Sequence, residues 1–567
     1  MKKYYLTIVL LCLIFGFGEL SYGQNFDRAA FQTTIQRGIS KAYAASVKIW
    51  GIDTLTKRQN SAQFTGVVID ADGYILTAAH AIQPNKRYNV IFPDGKAYTA
   101  EGLGRISYEP KTGRPDVAMI KIIEKGTWPI AEMGWSNSLK VDEACISIAY
   151  PTTLNQVLPT IRVGRITNPL GQWGFVHSTC KMEPGDSGGP LFDYMGRVIG
   201  IHSRIDVAED VNYEVPIDLY RKYFTALKVA KDYPALPEKE DEVGVDPKAN
   251  SIQTYAAFSA IKDQFLDFEK GLKESSLLVK STIKGNSSRA VGTLFYFDMP
   301  KKGSSVKSKS FIVSKSSLVG DSITVYLGDR KLEAIVISRN RDHDLVLLQL
   351  KTDVKSGIKL STIKDGASTK IEDIGKFLIS ILPGRTNEIS VLSSGIFNQP
   401  KKFSSGFFGA SANFIADQII LTSVAPGSPA EKAGLALKDQ ITGINNVPIK
   451  LPPEYGGELT KYEPGETISI QLVRNGTPYS LPVFLTHMPK SSNHPANFFA
   501  GGKSARLDGF NNVFAHDAII KPEECGGPIF DKEGKFYGIN IARFSRTACL
   551  AFTSAQVYDF ISNAASL

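Results

Sequence analysis

The sequence predicts a mainly β protein in which two double β-barrel domains lie in tandem, the second interrupted by an inserted domain, with helical linkers. Three observations predict this fold class. Short β-rich runs alternate with turn signals such as Asp72-Gly73 and Asp94-Gly95, which are typical of antiparallel hairpins. The pattern of the first half of the chain recurs in the second half. The second copy contains about 110 residues that the first copy lacks.

The N-terminal 23 residues have the pattern of a signal peptide. Two lysines precede an apolar run from Leu6 to about Phe17, and cleavage after Gly23 would leave Gln24 at the new N-terminus. The apolar run is too short to span a bilayer comfortably, and no later stretch is long enough. The sequence therefore predicts an exported protein, periplasmic or extracellular, without a transmembrane anchor.

The first folded domain is expected to span residues 24–231. Apolar residues at helical spacing open it, short strands follow, and residues 215–231 have the pattern of a closing helix. Residues 234–251 are rich in proline and charge, as linkers are, and a second helical stretch follows them. A linker and a helix are therefore expected over residues 232–275.

The second half of the chain is a diverged copy of the first half, and two pairs of segments illustrate the repeat. FIVSKSSL (311–318) aligns with YILTAAHA (74–81). PEECGGPIFD (522–531) aligns with PGDSGGPLFD (184–193). Because matched segments keep their order along the chain, the two halves are expected to share one topology.

The spacing between matched residues locates the insertion. Asp344 matches Asp116 at a shift of 228 residues, whereas Cys525 matches Ser187 at a shift of 338 residues. The additional residues come after residue 400. An insert at 402–488 would divide the second barrel domain into the segments 276–401 and 489–567.

Three motifs of the first domain supply a histidine, an aspartate and a serine. They are TAAH, which ends at His80, PDVAMI, which contains Asp116, and GDSGGP, which contains Ser187. Each motif alone is a weak signal, since an isolated histidine at a strand end is more often a packed residue than a catalyst. Together they indicate nucleophilic catalysis, and the glycines beside Ser187 let backbone amides face a substrate.

With these motifs, residues 46–220 resemble the trypsin-like serine proteases of the chymotrypsin fold, and most closely the bacterial HtrA family. The resemblance implies chymotrypsin-like double barrels and an endopeptidase that works through an acyl-enzyme. Ser187 would attack the peptide carbonyl, His80 would accept its proton, and Asp116 would hold the imidazole. The amides of Gly185 and Ser187 would bind the oxyanion. No metal and no cofactor is expected, and damaged proteins are the substrates that the resemblance implies.

The residues around Ser187 depart from the HtrA pattern in two ways. HtrA proteins usually carry asparagine before the serine, where this chain has Asp186, as trypsins do. In trypsins that aspartate pairs with a new N-terminus, but no such start is visible here. Lys181 and His202 match pocket positions, and two basic groups there would favour an acidic residue before the scissile bond. The alternative is that Lys181 lies in solvent and His202 is packed.

The insert resembles a PDZ domain of the bacterial protease type, a resemblance carried by the motif APGSPAEKAGL (425–435). PDZ domains take an extended peptide C-terminus as an added strand, and backbone amides of the loop before the first strand hold its carboxylate. Alternatively, the insert only braces or occludes the neighbouring barrel. In this sequence the carboxylate loop matches Phe407, Phe408, Gly409 and Ala410.

The second domain retains a degenerate version of the same motifs. CGGP at Cys525 resembles the loop of viral chymotrypsin-like cysteine proteases, and Asp344 is kept. Ser317, however, occupies the position of the base, and Glu523 replaces the first glycine of the loop. The sequence therefore predicts one active site and one pseudoprotease. Two alternatives stay open: a cysteine protease at Cys525, and an inert scaffold that binds peptides through the PDZ domain.

Cysteines and charge add few constraints. The four cysteines beyond the signal peptide are Cys145, Cys180, Cys525 and Cys549. They permit up to two disulfides in three connectivities, since export exposes them to an oxidising compartment.

The formal net charge is +9, but no basic run interleaved with aromatic residues indicates nucleic acid. The expected partners are protein substrates and peptide C-termini, and the oligomeric state is left open.

Overall fold

The structure, a computed structural model, describes residues 28–154, 156–249, 258, 271–299, 307–363, 370–489 and 494–565. The predicted signal peptide and most of the predicted helix at 252–275 lie outside these residues. Strands dominate the described part, and four of its sheets form two successive double-barrel domains. The predicted mainly β fold class is confirmed.

The first domain begins with helix α1 (Arg28–Ala42), and a six-stranded barrel follows it. The barrel strands are β1 (Ser46–Gly51), β2 (Phe64–Val68), β3 (Tyr74–Thr77), β4 (Arg87–Ile91), β5 (Ala97–Ile106) and β6 (Val117–Ile122). They are antiparallel in the order β5-β4-β1-β2-β3-β6, and the pairing of β5 with β6 closes the barrel. Its interior is apolar, with Ile49, Ile75 and Ile120 all buried.

The second barrel of this domain carries the segment around Ser187. Its strands are β7 (Ala144–Ala149), β8 (Thr160–Asn168), β9 (Val176–Ser178), β10 (Pro190–Asp193), β11 (Val198–Ile205) and β12 (Asn212–Pro216). They close in the order β10-β11-β12-β9-β8-β7. The expected closing helix is divided into two short helices, and a short strand then pairs in parallel with β5. These elements are α2 (Ile217–Lys222), α3 (Phe224–Leu227) and β13 (Asp232–Tyr233).

The second domain repeats this arrangement. Its first sheet contains β14 (Ser276–Ile283), β15 (Asn286–Met299), β16 (Lys307–Lys315), β17 (Asp321–Leu327), β18 (Arg330–Asn340), β19 (Leu345–Leu350) and β20 (Ile358–Lys359). The order is β14-β17-β18-β19-β16-β15-β20, and β14 also pairs with β15 to close the barrel. The next strands are β21 (Phe377–Ser380), β22 (Glu388–Val391) and β23 (Phe397–Gln399).

A separate sheet with its own apolar core follows β23. Its elements are β24 (Ala410–Ile415), β25 (Gln418–Val424), α4 (Pro429–Lys432), β26 (Gln440–Ile444), β27 (Val447–Pro448), α5 (Pro452–Leu459), β28 (Thr467–Arg474) and β29 (Thr477–Phe484). The strand order is β24-β25-β26-β28-β29, which leaves β24 at one edge of the sheet. The inserted segment therefore has an edge strand open to pairing among the described residues.

The chain then returns to the second domain and completes its other sheet. The returning elements are β30 (Phe510–His516), β31 (Pro528–Asp531), β32 (Phe536–Arg543), β33 (Cys549–Thr553) and α6 (Ser554–Ala565). The sheet order is β22-β21-β31-β32-β33-β30-β23, and its first six strands match β8-β7-β10-β11-β12-β9 of the first domain. The insert therefore occupies the connection that corresponds to the one between β8 and β9.

The two domains share packing through the N-terminal helix. Phe31 of α1 is fully buried and stacks on Phe377, with ring centroids 5.7 Å apart. The backbone amide of Phe377 donates to the side-chain oxygen of Gln32 at 3.0 Å. One apolar core therefore runs between the domains. Among the described residues, no helix combines the length and apolar character that a membrane crossing requires.

Candidate active site

A histidine–aspartate pair lies between the two barrels of the first domain. Strand β3 ends at Thr77, and the following turn places His80 beside Asp116, which immediately precedes β6. The His80 amide donates to Asp116 Oδ1 at 3.0 Å, and His80 Nδ1 lies 2.7 Å from Asp116 Oδ2. Ser203 Oγ also donates to Oδ2, at 2.7 Å. The carboxylate thereby holds the imidazole in one orientation.

Burial and pairing act in opposite directions on the pKa values of this pair. Burial lowers the pKa of His80, but the hydrogen bond and charge of Asp116 outweigh it, so that the pKa is raised from its ordinary value. Burial raises the pKa of Asp116, but the bonds from His80 and Ser203 and the charge of His80 lower it overall. Asp116 is thus an anion that stabilises a protonated His80.

The loop that carries Ser187 is shaped by two glycines with positive φ. Gly185 has φ +104°, and a Cβ there would lie 2.5 Å from the carbonyl oxygen of Tyr150. Gly188 has φ +79°, and a Cβ there would lie 2.0 Å from Thr77 Oγ1. Only glycine permits both the conformation and the contact. The residue after Ser187 is therefore seated against the strand that leads to His80.

Two backbone amides of this loop are open to a ligand. Within the described residues, the N–H groups of Gly185 and Ser187 donate no hydrogen bond, whereas Gly188 donates to the His202 carbonyl at 2.8 Å. The Ser187 carbonyl accepts from the Thr65 amide at 2.9 Å, which anchors the loop to β2. No hydrogen bond joins Ser187 Oγ to His80 in this part of the chain. Such bonds are often long before substrate binds.

A buried ion pair between Arg162 and Asp186 stabilises the loop that carries Ser187. Asp186 Oδ2 lies 2.9 Å from Arg162 Nη1, and Arg162 Nη2 donates to Asp186 Oδ1 at 3.2 Å. Both side chains are buried, and burial raises the pKa of Asp186 to about 7 although the Arg162 charge opposes this. Arg162 therefore forms the ion pair with Asp186 that, in trypsins, a new N-terminus forms with the corresponding aspartate. Sequence reasoning missed Arg162, whose only signal was an arginine within a strand.

The two predicted pocket residues are both buried. The ammonium of Lys181 donates to the backbone carbonyl of Asp517, in the second domain, and burial lowers its pKa. His202 Nε2 lies 2.7 Å from Ser147 Oγ, and burial lowers the pKa of His202 to about 3, so that the ring is neutral. His202 is packed, as the alternative interpretation had it, while Lys181 turns toward the second domain rather than toward solvent.

Two arginines of the second domain, Arg543 and Arg546, bind the segment that follows Ile205 in the first domain. Arg546 donates to three successive carbonyls, those of Asp206 at 2.8 Å, Val207 at 3.1 Å and Ala208 at 2.6 Å. Arg543 forms an ion pair with the next residue, Glu209. Both arginines are completely buried. The sequence offered no signal for this contact, because the partners are more than 300 residues apart.

The degenerate residues of the second domain preserve the geometry of the His80–Asp116 pair. The Ser317 amide donates to Asp344 Oδ1 at 2.6 Å, and Ser317 Oγ donates to Asp344 Oδ2 at 2.8 Å. Lys315 Nζ lies 2.7 Å from the same Oδ2. The aspartate is therefore neutralised by an ammonium and bonded to a hydroxyl, and neither group offers the proton-accepting nitrogen of an imidazole.

Cys525 lacks the surroundings of a nucleophile. Its thiol is fully buried, and burial raises its pKa to about 11 despite the nearby charge of Lys315. Its amide donates to the Pro522 carbonyl at 3.2 Å, whereas the amide of Ser187 is open. Glu523 lies in a 3-10 turn, Pro522–Glu524. The Cys525 amide, which an oxyanion would require, is hydrogen-bonded within this turn. The loop thus differs from its counterpart in chemistry and in conformation.

The four cysteines are free thiols in this structure. Cys145 Sγ and Cys180 Sγ are 3.7 Å apart, which is the distance of a thiol hydrogen bond and not of a disulfide. Cys549 donates from Sγ to the Ala518 carbonyl at 3.2 Å, and it shares an apolar cluster with Cys525. All four are buried, so they contribute to packing.

The predicted carboxylate loop lies immediately before β24. Phe407 exchanges backbone hydrogen bonds with Thr486, and Phe408 packs into the core of the insert. Gly409 has φ +82°, and a Cβ there would lie 2.3 Å from Ser428 Cβ. Within the described chain, the amides of Phe408 and Gly409 donate no hydrogen bond. Ala410 begins the edge strand, so open amides and an open edge adjoin each other.

Comparison with known proteins identifies two domains. The trypsin-like peptidase domain family matches residues 64–201, and the PDZ domain family matches residues 406–485. The periplasmic serine endoprotease DegP-like of Pseudomonas fluorescens is 26% identical over 440 residues, which are 74% of this chain and 79% of that protein. The predicted HtrA-like type, a trypsin-like peptidase domain together with a PDZ domain, is confirmed.

Other relatives align with less than a third of this chain. Serine protease HTRA1 of Xenopus tropicalis is 30% identical over 170 residues, 29% of this chain and 35% of that protein. HhoA of Synechocystis sp., a serine protease by name, is 29% identical over 171 residues, 29% of this chain and 42% of that protein. The chain thus spans less than half the length of these two relatives.

Proposed function

We propose that this chain is an exported serine endopeptidase whose single active site is His80, Asp116 and Ser187. The observation that supports it best is the combination of a fixed imidazole–carboxylate pair with two open amides on the adjacent serine loop. Relatives named as serine proteases support the same reaction class. Those named as periplasmic support export.

The residues divide the reaction into two steps. His80 accepts the proton of Ser187 while Oγ attacks the peptide carbonyl, and the amides of Gly185 and Ser187 bind the oxyanion, each contributing about 3–4 kcal/mol. Asp116 stabilises the His80 imidazolium, which then donates its proton to the leaving amine as the peptide C–N bond breaks. Water then attacks the acyl carbon, with His80 again as the base; the bond to Ser187 Oγ breaks, His80 returns the proton to that oxygen, and the acid product leaves.

Casein hydrolysis by the mature protein, residues 24–567, tests the proposal. Ser187→Ala should abolish the activity and also labelling by a fluorophosphonate probe, which reacts only with an activated serine. Cys525→Ser is the matched control, since it alters the corresponding residue of the second domain and should leave both readouts unchanged. Activity that survives Ser187→Ala would place the chemistry elsewhere.

A second proposal concerns the insert, which we infer binds peptide C-termini. The open amides of Phe408 and Gly409 and the unpaired edge of β24 support it, because a C-terminal carboxylate and an added strand require these two features. A peptide with a free C-terminus should bind, and the same peptide with an amidated C-terminus should not. Equal binding of the two would remove this proposal and leave the insert a bracing element.

The proposed biological role is degradation of misfolded or damaged proteins outside the cytoplasm. Its support is the resemblance to HtrA proteins and the pairing of a protease with a peptide-binding module. The second barrel domain is proposed to be a pseudoprotease. The buried thiol and consumed amide of Cys525 support that role over a cysteine protease.

A further inference from the structure

We propose that Arg204 forms an anionic subsite of the active-site cleft, which recognises an Asp or Glu side chain of the substrate close to the cleaved bond. The inference rests on the proposed protease function and goes beyond it by naming a substrate class. It also assigns acid recognition to a residue other than Lys181 and His202, both of which are buried.

Arg204 lies beside the catalytic residues. The preceding residue, Ser203, donates its hydroxyl to Asp116. The positive charge of Arg204 lowers the pKa of His80, against the larger effect of Asp116, as a cation on the strand beside the imidazole would. A substrate held at Ser187 and His80 therefore passes near Arg204.

The backbone of this segment is ready to receive an extended peptide. Strand β11 pairs with β10 as far as Ile201, and His202 adds two hydrogen bonds to the loop after Ser187. From Ser203 to Ile205, the edge of β11 on that side has no strand partner among the described residues. An extended substrate can add to this edge as a strand, and its side chains would then pass Arg204 within a few residues of the scissile bond.

The guanidinium is held flat by aromatic rings. Its central carbon lies 3.6 Å from the ring centroid of Tyr108 and 5.2 Å from that of Phe175. Phe175 is buried and Tyr108 is half-buried, and their rings are 5.5 Å apart. Stacking on aromatic faces leaves the in-plane N–H groups of a guanidinium available, and these form the fork that binds a carboxylate.

The charge of Arg204 has no anionic partner within the described part of the chain. It forms no ion pair there, and its Nε is buried without a hydrogen bond. By contrast, Arg162 and Arg197, two other arginines of the same domain, are both paired with aspartates. A half-buried cation with a preorganised fork and no internal counter-ion favours an external carboxylate, since the bidentate bond supplies both charge and hydrogen bonds.

Peptide pairs that differ only in Glu or Gln near the cleaved bond test the subsite. The wild type should cleave the Glu peptide with a kcat/KM at least about tenfold above that for Gln. Arg204→Ala should bring the two values together, and Arg204→Glu should favour a Lys peptide. Arg87→Ala removes a surface arginine from the same domain and should keep the wild-type ratio. A ratio unchanged by Arg204→Ala would overturn the proposal.

Two further measurements separate this inference from the proposed function. Fluorophosphonate labelling of Arg204→Ala should equal that of the wild type, which shows that the triad is intact. The same Glu and Gln peptides, made with amidated C-termini that the insert should not bind, can be bound to Ser187→Ala and followed by fluorescence anisotropy, which needs no catalysis. If the wild type fails to label, the protease proposal fails, and the Glu preference of Ser187→Ala with and without Arg204→Ala still decides the subsite.

Discussion

The guanidinium of Arg162 lies 2.9 Å from the carboxylate of Asp186, and both groups are buried beneath the loop that presents Ser187. The Asp186 amide also donates to the Glu183 carbonyl at 3.0 Å, so the ion pair and the loop turn share one residue. Because the pair is formed within the chain, the loop can be ordered without cleavage of an N-terminus.

Loss of Arg162 should therefore disorder the serine loop. Arg162→Leu leaves a carboxylate buried without its partner, and we expect the free energy of unfolding to fall by about 3–5 kcal/mol, with slower fluorophosphonate labelling. The double variant Arg162→Leu with Asp186→Asn removes the charge as well and should recover part of both losses. Denaturant unfolding and labelling rates check the prediction. No recovery in the double variant would show that the charge pairing is not what orders the loop.

Activity should depend on pH through His80. The imidazole must be neutral to accept the Ser187 proton, and its pKa is raised by Asp116, so kcat/KM should be low in acid and rise through a pH above the ordinary histidine value of about 6.5. Asp116→Asn removes the charge that raises the pKa. The rise should then move to lower pH, with kcat reduced on the order of 10⁴-fold. A pH profile that Asp116→Asn leaves in place would contradict this assignment.

The contact between Arg546 and the 206–208 carbonyls should be required for substrate binding. Arg546→Ala frees the segment that follows the open edge of β11, so we expect kcat/KM for peptides to fall at least about tenfold with labelling of Ser187 retained. Arg506→Ala is the matched control, because Arg506 also donates to backbone carbonyls, but those of Arg341 and Asp342 within the second domain. Equal losses in both variants would indicate a general effect on stability.

Cys525 should be unreactive in the folded protein. Its thiol is buried and its pKa is raised to about 11, so the thiolate needed for alkylation is scarce at neutral pH. Iodoacetamide followed by mass spectrometry should modify Cys525 only after unfolding. Rapid modification of the native protein, accompanied by loss of peptide hydrolysis, would instead favour the cysteine protease alternative.

Much of the fold could be predicted because its signals are local. The Asp-Gly hairpins, the glycines around Ser187 and the order of the repeated segments all lie within short stretches of chain, and the different shifts at Asp344 and Cys525 located the insertion. The helix expected at 215–231 was less well predicted, since β12 continues to Pro216 and the helix breaks at Tyr223. The strand pairing of 212–216 within the barrel outweighed the helical periodicity there.

The sequence by itself determined which residues are proposed as catalytic and where they lie in the repeat, because motifs such as GDSGGP combine side-chain chemistry with the backbone freedom that the loop needs. Only the tertiary structure decided where the arginines act. Arg162, Arg204 and Arg546 look alike in the sequence. Arg162 is paired with a buried aspartate, and Arg546 binds backbone carbonyls of the other domain. Arg204 stacks on aromatic rings beside His80 and forms no ion pair within the part of the chain that the structure describes. Long-range burial and charge pairing depend on contacts between distant segments, which periodicity and spacing do not encode.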